Sequence, residues 1–216
     1  TLAEADVNNI GTSADLVANN EAIVFEADAG TYSESLVVNS TLVTDATRRV
    51  TFTCAAGSEH LGEKDAGVIL SVPGAVAAIT VYDDYVRIDN LNIQALQGSS
   101  SNYGIYFANA LGCEVDSCSV RSDGNYGIIV TNNSTSSPST HRIVNSVVIG
   151  SAIASNYCFD LRGTTGSGSV SYEVINCAGY GMRDWCRQGF SAAAGTTTNL
   201  SLINNLDLGC SRTFQT

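Results

Sequence analysis

Proline, methionine, lysine and histidine are nearly missing from this chain: it has 2 Pro, 1 Met, 2 His and a single lysine, Lys64. With so few long-chain helix formers, and no sustained 3.6-residue periodicity beyond the first twenty residues, a helical bundle is excluded. No apolar run approaches the roughly eighteen residues that a membrane-spanning helix needs. The opening residues, Thr1-Leu2-Ala3-Glu4-Ala5-Asp6, lack the basic start and apolar stretch of a secretory signal, so none is expected. Charged residues make up only 14 %, and acidic ones dominate, for a net charge of −11 and a pI near 4.3. Such a surface repels phosphate backbones and anionic lipid, so neither nucleic acid nor membrane is an expected partner. None of the seven cysteines forms a Cys-x-x-Cys pair, and there is no Gly-rich phosphate loop, metal-ligand cluster or nucleophile elbow. No cofactor and no metal are expected. Most of the cysteines read as buried, reduced, small hydrophobes, with a bridge such as Cys113–Cys118 or Cys177–Cys186 as the alternative.

What is present is a repeat. One phrase recurs as Ile88-Asp89-Asn90-Leu91, Val115-Asp116-Ser117-Cys118, Val144-Asn145-Ser146-Val147, Ile175-Asn176-Cys177-Ala178 and Ile203-Asn204-Asn205-Leu206. Its Asp/Asn positions, Asp89, Asp116, Asn145, Asn176 and Asn204, are spaced by 27, 29, 31 and 28 residues. A second phrase alternates with it: Tyr103-Gly104-Ile105, Tyr126-Gly127-Ile128, Tyr180-Gly181-Met182 and, loosely, Tyr157-Cys158-Phe159. Two alternating phrases of this period predict an all-β solenoid in which each coil buries its apolar face on its neighbours. The apolar residue before each Asp/Asn, and the residue two after it, are expected to point inward, with the Asp/Asn ladder supporting the bend. Coils of about 28 residues at a strand spacing of about 4.8 Å make a rod on the order of 35 Å long. The chain divides into an N-terminal cap over 1–20, coils over 21–208 and a tail over 209–216. Polar insertions at 97–102, 131–140 and 163–169 read either as a binding face or as plain solvated turns.

The entry region has a weakly amphipathic segment, then Glu21-Ala22-Ile23-Val24-Phe25-Glu26-Ala27, then Gly30-Thr31-Tyr32-Ser33-Glu34-Ser35-Leu36. This order resembles the entry coil of pectin-lyase-like, right-handed parallel β-helix proteins, and the resemblance covers nearly the whole chain. A further likeness, carried by Cys54-Ala55-Ala56-Gly57-Ser58-Glu59-His60-Leu61-Gly62 and Tyr82-Asp83-Asp84-Tyr85-Val86-Arg87-Ile88, is to β-helix proteins of bacteriophages and marine bacteria. It implies a virion-surface role as decoration, spike or fibre, hence a virion or extracellular location. The fold carries lyases, hydrolases, adhesins and spikes alike, so it does not assign an activity.

Glycoside cleavage needs two carboxyl groups facing each other across a cleft. Asp83 and Asp84 are adjacent and are expected to be solvated in a turn. The plausible components of a lyase-like or hydrolase-like site are Asp160, Glu173, Arg183 and Asp184, with Arg162 and Arg187. Trp185 reads either as a sugar-stacking platform or as a packing residue, and Tyr103 and Tyr126 are weaker ligand-binding candidates. The expected function is therefore a non-catalytic structural protein of a virion surface with glycan adhesion. A secreted polysaccharide lyase or hydrolase, and a cell-surface adhesin or filament subunit, are the alternatives. The last coil leaves backbone and apolar groups open, so association is expected, as a trimer or against another subunit.

Overall fold

The computed structural model describes residues 15–39, 42–63, 65–74, 77–96, 102–131, 139–150, 157–163, 169–189 and 197–215. The strands form three parallel sheets of seven. The first contains β1 (Ile23–Ala27), β4 (Val50–Cys54), β7 (Val86–Asp89), β10 (Glu114–Asp116), β13 (Ser139–Val144), β16 (Ser169–Ile175) and β19 (Thr197–Ile203). The second contains β2 (Gly30–Tyr32), β5 (Val68–Val72), β8 (Asn92–Ala95), β11 (Ser119–Ser122), β14 (Val147–Gly150), β17 (Ala178–Tyr180) and β20 (Leu206–Leu208). The third contains β3 (Leu36–Val38), β6 (Ile79–Val81), β9 (Tyr103–Ala108), β12 (Tyr126–Thr131), β15 (Tyr157–Arg162), β18 (Asp184–Gly189) and β21 (Arg212–Gln215). Each turn of the chain supplies one strand to each sheet, which makes the molecule a parallel β-solenoid. Within the expected N-terminal cap, the described part is a single helical turn, α1 (Leu16–Asn19), whose first turn is capped by Asp15 accepting from the Ala18 N–H. Within the expected tail, Arg212–Gln215 adds a strand to the third sheet beside β18. Most of the insertions expected at 97–102, 131–140 and 163–169 lie outside the described residues.

Strands alternate inward and outward side chains, so β4 buries Val50, Phe52 and Cys54 and leaves Thr51 and Thr53 partly exposed. Stacked equivalents then form columns along the axis. Ile88, Val115, Ile143 and Val174 make one such column, all in the core. Burying each side chain of this size contributes about 1.5–3 kcal/mol.

The corner between the first and second sheets keeps Asn145, Asn176 and Asn204 of the expected ladder and moves its first two members by one residue, from Asp89 to Asn90 and from Asp116 to Ser117. The residues that turn there are Asn90, Ser117, Asn145, Asn176 and Asn204, with φ of 55, 50, 51, 54 and 56°. This left-handed conformation suits Asn, whose short side chain bonds the local backbone, and disfavours most other residues. Asp89 and Asp116 instead end β7 and β10, pair with each other in register, and align with Val144. Asp116 still joins the ladder from beside it. Asn145 donates to Asp116 Oδ1 (3.0 Å), Asn176 to Asn145 (3.2 Å) and Asn204 to Asn176 (3.1 Å).

The same slip moves the inward positions. Ile88 and Val115 face the core as expected, but Val144, Ile175 and Ile203 do not; Ile143, Val174 and Leu202 occupy that column. After the corner the inner residues are Leu91, Cys118, Ser146, Cys177 and Asn205, rather than Val147, Ala178 and Leu206. They form a spine that serves the corner's backbone. Ser146 Oγ donates to Val144 O (2.8 Å), Cys177 Sγ to Ile175 O (3.3 Å) and Asn205 Nδ2 to Val174 O (2.8 Å). In return, the Cys118 N–H donates to Ser146 Oγ (3.1 Å) and the Cys177 N–H to Asn205 Oδ1 (2.8 Å). All seven cysteines are free thiols, so neither Cys113–Cys118 nor Cys177–Cys186 is bridged. Burial pushes the thiols of Cys113 and Cys118 up to about 12, which keeps them protonated.

Candidate functional site

The tyrosine phrase builds the outer face of the third sheet. Ile105 and Phe107, Ile128 and Val130, and Phe159 and Leu161 all enter the core. The residues between them, Tyr106, Ile129 and Asp160, therefore project outward in one register column that continues to Arg187. A second outward column runs Tyr103, Tyr126, Tyr157, Asp184 and Arg212. It is set by Gly104 and Gly127. A Cβ on Gly104 would lie 2.3 Å from Val120 Cγ1, and one on Gly127 would lie 2.2 Å from Val148 Cγ1. Only glycine lets the chain press against the second sheet there while the preceding tyrosine turns outward. Tyr180 is not part of this column: it belongs to β17, pairs with Ile149 and Leu208, and is exposed.

The rings of Tyr103 and Tyr126 stack at 5.2 Å, those of Tyr126 and Tyr157 at 5.7 Å, and Tyr106 leans on Tyr103 at 5.4 Å. Because the rings stack on one another, the row presents mainly edges and hydroxyls outward. Arginines cover it. Arg162 lies over the Tyr126 ring and donates to its hydroxyl (3.0 Å), and Arg183 does the same at Tyr157 (3.3 Å). Arg187 also lies over Tyr157, at 5.2 Å, and makes no ion pair among the described residues.

Beneath the arginines sit two carboxylates with no exposed side-chain surface. Asp160 Oδ2 accepts from Arg162 Nε (2.9 Å) and Nη2 (2.6 Å), and Asp184 Oδ2 accepts from Arg183 Nε (3.0 Å) and Nη2 (2.9 Å). Arg212 adds a charge contact at 3.4 Å to Asp184 Oδ1, but without hydrogen-bond geometry, so that oxygen and Asp160 Oδ1 are both buried and without a hydrogen-bond partner among the described residues. Burial opposes the charge on Arg162, but the bond to Asp160 and that carboxylate's charge outweigh it and raise the guanidinium's pKa. The bond to Asp184 raises that of Arg183. Arg162, Arg183, Arg187 and Arg212 are four of the ten basic residues of an acidic chain, gathered on one face.

The predicted cluster is thus partly assembled. Asp160, Arg183 and Asp184 share the face, as do Tyr103 and Tyr126, but Glu173 is elsewhere. It ends an alternating charge column on the first sheet, Arg87–Glu114–Arg142–Glu173, in which Arg142 Nε donates to Glu173 (3.1 Å). Trp185 is turned inward with 2 % exposure, tilted against Phe159 at 5.1 Å. It packs where Gly179 leaves room, since a Cβ there would lie 2.5 Å from Trp185 Cδ1. A sugar cannot stack on it. Asp83 and Asp84 are not solvated either: Asp83 is buried, and burial raises the pKa of Asp84, whose Oδ1 accepts from the Leu111 N–H (2.7 Å).

Sequence reasoning missed Tyr106 and Arg212. Carrying the tyrosine column one coil past Asp184 leads to Arg212, and the outward position three after Tyr103 is Tyr106. Chemically, the face offers hydroxyls, planar guanidinium donors and aromatic edges, whereas both of its carboxylates are tied to neighbouring arginines. No family model matches the chain, and no curated protein or solved structure matches it either.

Proposed function

We propose that this chain is a non-catalytic surface protein of the virion-decoration, spike or fibre type that adheres to glycans through the outer face of its third sheet. The observation that carries the reading is the pairing of Asp160 with Arg162 and of Asp184 with Arg183 beneath the Tyr103–Tyr126–Tyr157 row. A glycosidase carboxylate must give or take a proton, or attack a sugar carbon. These two are held as ion-pair anchors that orient arginines instead. Arginine forks and tyrosine hydroxyls match the paired hydroxyl and ring oxygens of a saccharide, and Arg187 is open to an acceptor or acidic group.

The test is retention of the folded chain on an immobilised glycan panel, beside Arg187→Ala and Tyr126→Phe. Both substitutions spare the buried ion pairs, and Tyr126→Phe keeps the ring stack. Selective retention that falls at least about tenfold in both variants supports the reading; no retention, or equal retention by all three, overturns it. The virion assignment rests on the sequence resemblance and on the exposed apolar residues of the last coil, Leu202, Ile203, Leu206 and Leu208, which suit association with further subunits. Density-gradient fractionation of the native source checks it: the chain should travel with DNA-filled particles, as a trimer or bound to another subunit. Recovery as free monomer would contradict it.

A further inference from the structure

The solenoid's last coil has a neighbour on one side only, yet one of its residues reaches back into the core. Cys210 lies in the turn between β20 and β21, and its Sγ is 3.9 Å from the Sγ of Cys158 on β15. Cys158 is fully buried, and it occupies space that Gly179 leaves free: a Cβ on that glycine would lie 2.7 Å from the sulfur. Cys210 is only partly buried. Its turn follows Gly209, at φ 81°, and is held by Asp207 Oδ1 accepting the Cys210 N–H (3.1 Å).

We propose that Cys158 and Cys210 close into a disulfide in an oxidising thiol–disulfide pool and so clasp the last coil to the body of the solenoid. The sulfurs must approach by about 2 Å to reach bonding distance. The mobile side of that approach is the glycine-preceded turn rather than β15. Access sets the order of events. The partly exposed Cys210 thiolate attacks a small-molecule disulfide and releases one thiol. Cys158 then displaces the second, leaving one protein S–S bond and two equivalents of reduced small thiol, which take up the two protons. The contact with Cys210, and then burial, raise the pKa of Cys158, whereas the same contact lowers that of Cys210, in keeping with the partly exposed sulfur attacking first. The remaining cysteines stay reduced. Cys118 and Cys177 are engaged with backbone carbonyls, Cys113 and Cys186 are buried with pKa near 12, and Cys54 is buried at the other end of the molecule.

The clasp acts where it is most needed. Terminal coils of a solenoid open before central ones, and a crosslink spanning 52 residues removes much of the freedom that opening would gain. The folded chain is equilibrated with oxidised glutathione at pH 8, denatured in an alkylating agent and mapped by mass spectrometry without reduction. The expected product is one linked pair of peptides containing Cys158 and Cys210, 2 Da lighter than the two thiol peptides together. All five other cysteines should be alkylated. The oxidised chain should melt about 10 °C above the reduced one, a difference absent from Cys210→Ser. Recovery of Cys210 alkylated or glutathionylated, a link between any other pair, or an unchanged melting temperature would overturn the proposal.

Discussion

Val115 and Leu202 occupy the same inward column of the first sheet, three coils apart, yet Val115 has no exposed surface and Leu202 has 42 %. The chemistry of the two side chains is nearly the same, and so is their backbone. What differs is that Val115 has a coil on either side and Leu202 a coil on one. In a solenoid, burial belongs to the stack and not to the residue, so equal substitutions should have unequal costs along the axis.

The largest difference is expected from truncation. Phe159→Ala, in a residue enclosed between Ile128 and Cys186 and packed on Trp185, should cost about 4 kcal/mol, whereas Leu202→Ala should cost less than about 1 kcal/mol. Urea denaturation of the two variants measures both; equal costs would break the comparison. A second contrast comes from His141, in a column that runs inward through Tyr172 to the half-buried Leu200. Its Nδ1 accepts from the Cys113 N–H, Nε2 is buried without a partner among the described residues, and burial lowers its pKa from 6.5 to about 4. The folded state therefore binds fewer protons than the unfolded one between those values. Stability from this residue is complete above about pH 6.5 and is lost as the pH falls towards 4, by about 3 kcal/mol in all. The wild-type loss across that window should exceed that of His141→Gln by nearly this amount; parallel curves would contradict it.

The smallest contrast lies in the corner ladder. Among the described residues, the Asn145 side chain bonds on both sides, to Asp116 and Asn176, but that of Asn204 bonds only to Asn176. Both lose a left-handed Asn on change to Ala, so Asn145→Ala should cost about 2 kcal/mol and Asn204→Ala about 1 kcal/mol. Chemical denaturation resolves the pair.

The repeat made much of this legible beforehand. Stacking requires equivalent residues in successive coils, so the Tyr103, Tyr126 and Tyr157 phrases aligned in register as their recurrence implied, although they lie 23 and 31 residues apart. The corner slipped by one residue because Asp and Asn look interchangeable in a short phrase. They separate only by backbone conformation, in which Asn90 and Asn145 turn left-handed while Asp89 stays in its strand. Tyr180-Gly181-Met182 copied the phrase without its position, and only the pairing of Tyr180 with Ile149 reveals that. Asp160, Arg183 and Asp184 were found because adjacent coils bring them together. Glu173 stands apart on the first sheet because linear distance does not say which of three sheets a residue joins. The sequence leaves Trp185 open between a ligand platform and a packing residue because the space left by Gly179 has no local signature.

The most direct test of non-catalytic adhesion is the chain length of the glycan itself. Any glycan retained by the protein is eluted after prolonged incubation and measured by mass spectrometry against an untreated sample. The reading predicts recovery of the glycan intact, at its starting length, from wild type. Shortened products that disappear with Asp160→Asn or Asp184→Asn would contradict it and make the buried carboxylates catalytic.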